Sequence, residues 1–287
     1  MSTELPATFP PTWTGLFDDA AVFPPGNAEL PEAVQSFRAR RDEWYADLVA
    51  SLVVTDERVP AVAAAEIPLS IVVTGGAGAL AGALKLAARA GNPVAGLEIA
   101  LRDLDDLAGN ARRVVAAVDA ARTDGALGDE TPIFVELPAG DVTYGWEAAA
   151  DEVAAAELRL KFRTGGIEAH LFPSSDQLAA WIDAALDREL AFKCTAGLHN
   201  AVRHRDPDTG FEHHGFLNVL AATAEADSGL AAADVAETLE ETDEAELLGL
   251  ARELDLAKAR RWFTGVGSCS ILEPLADLTD LGLLERL

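Results

Sequence analysis

Residues 158 to 197 read LRLKFRTGGIEAHLFPSSDQLAAWIDAALDRELAFKCTAG, and this stretch decides the fold. It opens with the alternating run LRLKFRT and closes with the shorter run AFKCTAG, and both are typical of β-strands. Between them, AAWIDAAL has the spacing of an amphipathic helix, and Ser174, Ser175 and Asp176 offer N-caps just before it. A strand, a helix and a second strand in this order form one unit of a parallel sheet.

The same unit recurs along the chain. The predicted strands are residues 16–23, 50–55, 69–74, 96–101, 133–138, 158–164, 191–197 and 262–268. The predicted helices are residues 30–47, 57–65, 78–90, 103–122, 144–156, 175–188, 211–226 and 272–285. Eight such units in 287 residues predict an α/β protein built as a single (β/α)8 TIM barrel. We expect one domain over residues 1–287, with residues 228–261 as an acidic helical insertion that is either solvated or in contact with another subunit.

Composition limits the partners. The chain has 48 acidic and 22 basic residues, a net charge of −26, so we expect neither a nucleic acid nor an anionic membrane as partner. This acidity, with abundant alanine, is typical of genomic composition bias or of a salt-adapted surface. Only Cys194 and Cys269 are cysteines, and MSTELPATFPPTW lacks the features of a leader peptide. We therefore expect a cytoplasmic protein whose partner is a small molecule. A homo-oligomer is compatible with this composition.

Strand alternation places charged side chains on the inward faces of four consecutive strands. The fourth strand directs Glu98 inward, the fifth Glu136, the sixth Lys161 and Arg163, and the seventh Lys193. Isolated charges in an apolar interior cost several kcal/mol each, so this cluster must be paired, hydrated or functional. Internal salt bridges without catalysis, for instance between Glu136 and Lys161, are the alternative to an active site.

Small residues follow the last three strands. The segments are Thr164-Gly165-Gly166, Thr195-Ala196-Gly197 and Gly265-Val266-Gly267-Ser268. Such residues let backbone N–H groups approach an anion, although glycine after a strand is also ordinary turn chemistry. Together with the neighbouring Arg163 and Arg203, they predict a site for an anionic substrate. The candidate binding residues are Arg163, Thr164, Gly165, Gly166, Thr195, Gly197, His199, Arg203, Gly267 and Ser268.

All five histidines lie between residues 170 and 214, four of them in HNAVRHRDPDTGFEHH, residues 199–214. Histidine is a near-neutral acid or base and a common metal ligand. We interpret these residues as substrate-binding or acid–base groups first, as loop structure second and as metal ligands third, because the spacing of zinc motifs is missing.

Two weaker patterns remain. The stretch TGGAGALAGALK contains Gly76, Gly78 and Ala81 in a loose dinucleotide-binding spacing, which we interpret as a turn and a closely packed helix start. The first strand carries Asp18 and Asp19, of which alternation allows one to point inward, with a surface or capping role as plausible as catalysis. Pro24 and Pro25 then stiffen a loop over the barrel mouth.

The segments LKFRTGG, AFKCTAG and WFTGVGSCS resemble the last three strands of class I aldolase barrels of the deoxyribose-phosphate aldolase type. The resemblance implies that Lys161 is a Schiff-base lysine, that Lys193 is the family's second lysine, and that Gly197, Gly267 and Ser268 bind phosphate. Phe162 and Arg163 depart from the family's pattern after the first lysine, and Glu98 stands where the family has an aspartate. The chain as a whole, with FDDAAVFPPGN and FKCTAGLHNAVRH, also resembles a bacterial barrel family without an assigned activity.

These observations give a first hypothesis: a lyase or isomerase that acts on a small anionic, phosphorylated or carboxylated, carbonyl compound through an imine. Lys161 would be the nucleophile, Lys193 its tuning partner, Glu136 or Glu98 the proton shuttle and Arg163 the anion clamp. No cofactor is then needed. We expect Lys161, Arg163, Lys193 and the backbone around Gly197 and Gly267 to converge on one pocket at the C-terminal mouth of the barrel, with His199 at its rim.

Other functions stay open. In a metal-assisted enzyme, Glu98, Glu136 and a histidine of the 199–214 loop would hold a divalent ion. A non-catalytic barrel would bind a metabolite or use its inserted helices to assemble a complex. A nucleotide-dependent oxidoreductase rests only on Gly76 to Ala81.

Overall fold

The computed structural model describes residues 9–286. Residues 1–8, which belong to the stretch used to exclude a leader peptide, and residue 287 of the predicted domain lie outside the described residues. The strands are β1 Phe17–Asp19, β2 Val49–Thr55, β3 Leu69–Val72, β4 Val94–Ala100, β5 Ile133–Glu136, β6 Arg159–Arg163, β7 Phe192–Thr195, β8 His204–Arg205, β9 Glu212–His213 and β10 Phe263–Ser268.

Eight of these strands form a closed parallel barrel, in the spatial order β1, β10, β7, β6, β5, β4, β3, β2. The remaining two, β8 and β9, pair in an antiparallel hairpin between β7 and β10. The barrel closes where β10 pairs with β1, which sets Asp18 opposite Gly267. The predicted single (β/α)8 TIM barrel is confirmed.

The helices surround this barrel. They are α1 Leu30–Arg40, α2 Leu80–Ala90, α3 Leu107–Thr123, α4 Tyr144–Ala155, α5 Ser175–Leu186, α6 Phe216–Asp227, α7 Ala232–Glu240, α8 Glu244–Glu253, α9 Leu256–Ala259 and α10 Leu272–Asp280. Ser174 caps α5 as expected, because its hydroxyl accepts a hydrogen bond from the backbone of Gln177. Within residues 9–286, no helix combines the length and the apolar character that crossing a membrane requires.

Several predicted elements differ from the observed ones, among them the first strand, which ends at Asp19 and not at residue 23, and the last helix, which ends at Asp280 and not at residue 285. The helix expected at 57–65 is a 3-10 helix, Asp56–Val62, with Pro60 inside it; proline lacks the N–H that a continuing α-helix needs. The first helix ends at Arg40, and a 3-10 turn, Ala46–Leu48, leads into β2. The helix expected from residue 211 begins at Phe216, because β9 occupies its predicted start.

Aromatic packing outside the barrel fixes the orientation of β6. The Phe162 ring lies between Trp146 of α4 and Trp181 of α5, with ring centroids 6.4 and 5.5 Å away. Because neighbouring side chains of a strand point to opposite faces, this burial of Phe162 turns Lys161 toward the barrel axis.

The inserted helices belong to the helical layer. Helix α7 buries Val235 and Leu239, and α6 is buried along most of its length. Asn218 of α6 joins the two helices, since its amide donates to the carbonyl oxygens of Thr238 at 2.9 Å and Glu241 at 2.8 Å. The expected solvated excursion is therefore wrong for α7, which covers a helix that would otherwise expose apolar surface.

The N-terminal and C-terminal regions of the described chain meet. The Trp13 indole N–H donates to the carbonyl oxygen of Leu283 at 2.9 Å. Arg260 spans the same junction, donating to Phe263 at 2.5 Å and to Thr14 at 3.2 Å through their carbonyl oxygens. The β1–β10 pairing is thus reinforced by side chains outside the sheet.

Candidate active site

A cavity of about 330 Å³ opens at the ends of the barrel strands. Its charged and titratable lining residues are Glu98, Arg102, Glu136, Lys161, Arg163, His199 and Cys269. Most of these follow from strand alternation: Glu98 lies on β4, Glu136 on β5, and Lys161 and Arg163 on β6. Lys161, Arg163, Gly267 and His199 thus line one pocket, whereas Lys193 and Gly197, which were expected there too, are not among its lining residues.

Lys161 lies at this cavity between two carboxylates. Its Nζ is 2.7 Å from Glu98 Oε2 and 2.8 Å from Glu136 Oε2. Burial would lower the pKa of Lys161, but the charges of Glu98 and Glu136 outweigh burial and raise it. The resting amine is therefore an ammonium ion, and Lys161 must give up a proton before it can act as a nucleophile.

Lys193 lies behind this pair and does not line the cavity. Its side chain is fully buried, with Nζ 2.5 Å from Asp18 Oδ2 and 2.7 Å from Glu98 Oε1. Nζ is also 5.0 Å from the centroid of the Phe134 ring. Burial would lower the pKa of Lys193, but Asp18 and Glu98 outweigh it and raise the pKa. Lys193 is thus a buried ammonium ion that pairs with Asp18 and Glu98 and does not face the cavity.

Glu98 connects the two lysines, one through each carboxylate oxygen. The residue is 2% exposed. Burial would raise its pKa, but the charges of Lys161 and Lys193 lower it from 4.5 to about 2. Glu98 consequently stays ionised at neutral pH. Glu136, whose side chain is 19% exposed, is the carboxylate better placed to exchange protons with water or a ligand.

Asp18 is the third carboxylate of this network. It lies on β1, which is separated from β7, the strand of Lys193, by β10. It accepts a hydrogen bond from Ser51 Oγ at 2.5 Å in addition to its contact with Lys193. Its neighbour Asp19 pairs with Arg40 Nη1 of α1 at 2.8 Å, so only one of the two aspartates belongs to the lysine network. Three carboxylates and two ammonium groups leave this network with one net negative charge.

The glycine loops contribute unequally. Gly166 and Gly267 line the cavity, as does Thr195. Gly165 instead permits close packing of two loops, because a Cβ there would lie 2.9 Å from Gly197 Cα. Gly197 has a φ of +81°, which suits glycine. Arg163 Nε donates to the Gly165 carbonyl oxygen at 3.0 Å, which ties the guanidinium to this loop.

Neither Gly165 nor Gly197 is among the residues that line the cavity, and three further predicted binding residues are placed differently from expectation. The Thr164 hydroxyl is buried and donates to the Ala196 carbonyl oxygen at 2.7 Å. The Ser268 hydroxyl donates to the Ser270 carbonyl oxygen at 2.6 Å. Arg203 lines a separate surface depression, with Nη1 3.1 Å from His214 Nδ1. The hydroxyls of Thr164 and Ser268 are thus engaged in internal hydrogen bonds. Arg203 lies at a different depression and does not line the cavity.

The loop histidines also divide by role. His199 Nε2 is 3.3 Å from Cys269 Sγ, and its Nδ1 is 2.7 Å from Glu273 Oε2. His214 is buried, with Nε2 2.9 Å from the Pro173 carbonyl oxygen, and burial lowers its pKa to about 4. His204 and His213 face each other across the hairpin.

Nothing in the described range brings three His, Cys, Asp or Glu side chains together around one point where an ion could sit. Glu98 and Glu136, the carboxylates of the metal hypothesis, both contact Lys161 Nζ. Their oxygens would have to exchange that ammonium ion for a metal.

Comparison with solved structures defines the fold further. Deoxyribose phosphate aldolase from Aeropyrum pernix, described as a unique tetrameric structure, superposes on 95% of this chain and 93% of its own, with a TM-score of 0.55. The two proteins share the (β/α)8 barrel fold. Their sequences are 12% identical, so the likeness to the aldolase concerns architecture and assigns no reaction. No protein-family model matches the chain, and no curated protein matches it significantly.

Sequence reasoning missed three residues around the cavity: Asp18 as a partner of Lys193, and the pair Cys269 and Glu273 beside His199. Strand alternation places Arg102 on the inward face of the fourth strand but assigns it no role. Asp18 could have been found from barrel closure, which makes the first strand a neighbour of the eighth. Cys269 could have been found by the argument that selected Ser268, because it directly follows the last strand, where barrel enzymes place their site residues.

Proposed function

We propose that this protein is a lyase or isomerase that binds a small anionic carbonyl compound and forms an imine with Lys161. The observation that carries the proposal is the position of Lys161 Nζ at the cavity, 2.8 Å from the partly exposed carboxylate of Glu136. A lysine at a cavity, with an adjacent group able to take its proton, has the two features that amine catalysis needs.

The first step is a proton transfer from the Lys161 ammonium ion to Glu136. Glu98 is the poorer acceptor, because Lys161 and Lys193 lower its pKa to about 2 against the effect of burial. The free amine then attacks the carbonyl carbon, and the carbonyl electron pair moves to oxygen. That oxygen takes one proton from the nitrogen and one from Glu136 and leaves as water, and the ionised Glu98 stabilises the resulting cationic imine electrostatically.

The imine then serves as an electron sink. When a bond to the neighbouring carbon breaks, its electron pair flows toward the iminium nitrogen, and Glu136 can return or accept the proton that the product requires. Arg163 and Arg102 line the same cavity and supply positive charge for a phosphate or carboxylate on the substrate. A cavity of about 330 Å³ suits a small metabolite.

Borohydride trapping tests this proposal. The protein is incubated with small aldehydes, sugar phosphates and keto acids, reduced, digested and mapped by mass spectrometry. We expect one stable adduct on Lys161, lost in Lys161→Met and retained in Lys85→Met, which changes an exposed lysine of α2. A folded protein that shows no adduct on Lys161 with any of these compounds would contradict the imine, and the lysine network would then be structural.

Assembly is a separate part of the proposal. The similar aldolase is tetrameric, and we expect a homo-oligomer of this chain too. Light scattering across a concentration series would show a mass that is a multiple of the 30.2 kDa chain; a constant monomer mass would contradict it.

A further inference from the structure

A second group of reactive side chains borders the same cavity. Cys269 follows β10, His199 lies in the loop after β7, and Glu273 is in the first turn of α10. The imidazole stands between the other two, with Nε2 3.3 Å from Cys269 Sγ and Nδ1 2.7 Å from Glu273 Oε2. A thiol, an imidazole and a carboxylate joined in this order are the arrangement that activates a nucleophile in many unrelated enzymes.

The electrostatics favour an imidazolium ion beside the sulfur. Burial would lower the pKa of His199, but Cys269 and Glu273 outweigh burial and raise it to about 9. A protonated imidazole next to a thiol stabilises the thiolate, which is the reactive form of cysteine. The other charges near this histidine are His213 on the hairpin, whose pKa burial and neighbouring histidines lower, and the cavity residues Lys161, Arg163 and Glu136.

The chain's other cysteine provides an internal contrast. Cys194 is fully buried on the outer face of β7, and burial raises the pKa of its thiol. Cys269 is only partly buried and lines the cavity. The loop between β1 and α1 lies against Cys269. Gly26 permits this approach, since a Cβ at residue 26 would be 3.1 Å from Cys269 Cβ. Of these two thiols, only Cys269 can meet a ligand.

We propose that Cys269 is a second nucleophile of this cavity, activated by His199 and directed at the carbonyl carbon of small aldehydes. The thiolate forms a C–S bond, the carbonyl electron pair moves to oxygen, and that oxygen takes the proton from His199 Nε2. The product is a neutral thiohemiacetal, which releases the aldehyde by the reverse steps without an oxidant or co-reactant. Glu273 is a positioning residue that holds the ring through Nδ1. The proposal does not depend on an imine at Lys161.

Alkylation of the native full chain with iodoacetamide, mapped by mass spectrometry from pH 5.5 to 9, tests the activation. At pH 6 we expect Cys269 to react at least tenfold faster than glutathione, and Cys194 to react only after unfolding. His199→Gln should slow the alkylation of Cys269 at pH 6 at least tenfold. Glu273→Gln, at a side chain 55% exposed, should give a smaller change in the same direction and should fold normally.

A surface pair supplies matched controls. His170 Nδ1 lies 3.3 Å from Glu168 Oε2, with both side chains largely exposed. His170→Gln and Glu168→Gln should leave the alkylation profile of Cys269 unchanged. A Cys269 that reacts at the glutathione rate at pH 6, or that is indifferent to both His199→Gln and Glu273→Gln in variants with normal thermal unfolding, would overturn the proposal.

Protection by an aldehyde separates this site from the lysine. Glycolaldehyde should slow alkylation of Cys269 reversibly, to a similar extent in the native protein and in Lys161→Met. Protection confined to the native protein would assign the aldehyde to Lys161 and overturn the thiol proposal while supporting the imine. Protection in both, with no borohydride adduct on Lys161, would support the thiol and contradict the imine.

Discussion

Glu98 is the residue on which the two lysines depend. It accepts hydrogen bonds from Lys161 at the cavity through one oxygen and from Lys193 behind it through the other, so the position of the Lys161 amine is linked to a cation that does not line the cavity. In the proposed imine mechanism, the fully buried Lys193 would keep the charge of Glu98 compensated when Lys161 loses its proton. The network can therefore lose one positive charge without leaving Glu98 unpaired.

This arrangement predicts a large effect of Lys193→Met on stability. Loss of Nζ leaves Asp18 without its ammonium partner and Glu98 with only one, and breaking a buried pair costs about 3 to 5 kcal/mol. Urea unfolding measures the free energy. Lys258→Met is the control, because Lys258 pairs with Asp227 while its side chain is 52% exposed, and such pairs contribute about 0 to 1 kcal/mol. Equal losses in the two variants would contradict a structural role for Lys193.

At the residue scale, the sequence predicts what alternation controls. Burial of Phe162 and Cys194 outside the barrel requires Lys161 and Lys193 to point inward, and both do. Alternation does not show how far along the barrel axis a side chain extends. It therefore could not distinguish Lys161, whose amine lies at the cavity, from Lys193, whose amine lies behind it. It also could not reveal that His199 and Cys269, 70 residues apart, lie in contact.

At the scale of elements, the inserted helices hold the outer layer on the side of β7 and β10. Helix α7 packs on α5 and α6, the two helices that flank β7 in the chain. The sequence predicted helices there but not their burial, because the many acidic residues of 228–261 obscure the apolar positions such as Val235 and Leu239. The 3-10 segment Asp56–Val62 was missed for a local reason, the internal proline.

Asn218 is the polar link between these helices, and Asn218→Ala should weaken it. The change frees the carbonyl oxygens of Thr238 and Glu241 and the N–H of Arg203, which donates to Asn218 Oδ1 at 2.8 Å. A buried polar group left unpaired costs about 1 to 3 kcal/mol, and we expect a loss in this range by urea unfolding. Asn110→Ala removes an amide that accepts two backbone bonds at a half-buried position, and it should cost less. An Asn218→Ala protein as stable as the native chain would contradict the link.

For the whole molecule, the net charge of −26 opposes the compact state through self-repulsion. Salt screens exposed charges, with a Debye length of about 10 Å at 0.1 M and about 3 Å at 1 M. We therefore expect the melting temperature to rise when KCl is increased from 0.05 to 1 M, as measured by calorimetry. Matched concentrations of a neutral osmolyte control for nonspecific effects, and a melting temperature that falls with KCl would contradict the expectation.

The junction of β1 and β10 has a consequence for synthesis on the ribosome. Phe17 pairs with Val266, and the Trp13 indole reaches Leu283, so the last contacts of the barrel need residues from both extremes of the chain. Until β10 leaves the exit tunnel, β1 and β7 remain open sheet edges with unpaired backbone groups, which invite association with other chains. The nascent barrel thus stays open from the synthesis of β1 until β10 emerges, and α10, which carries Glu273 in its first turn, follows β10 and Cys269 in the chain.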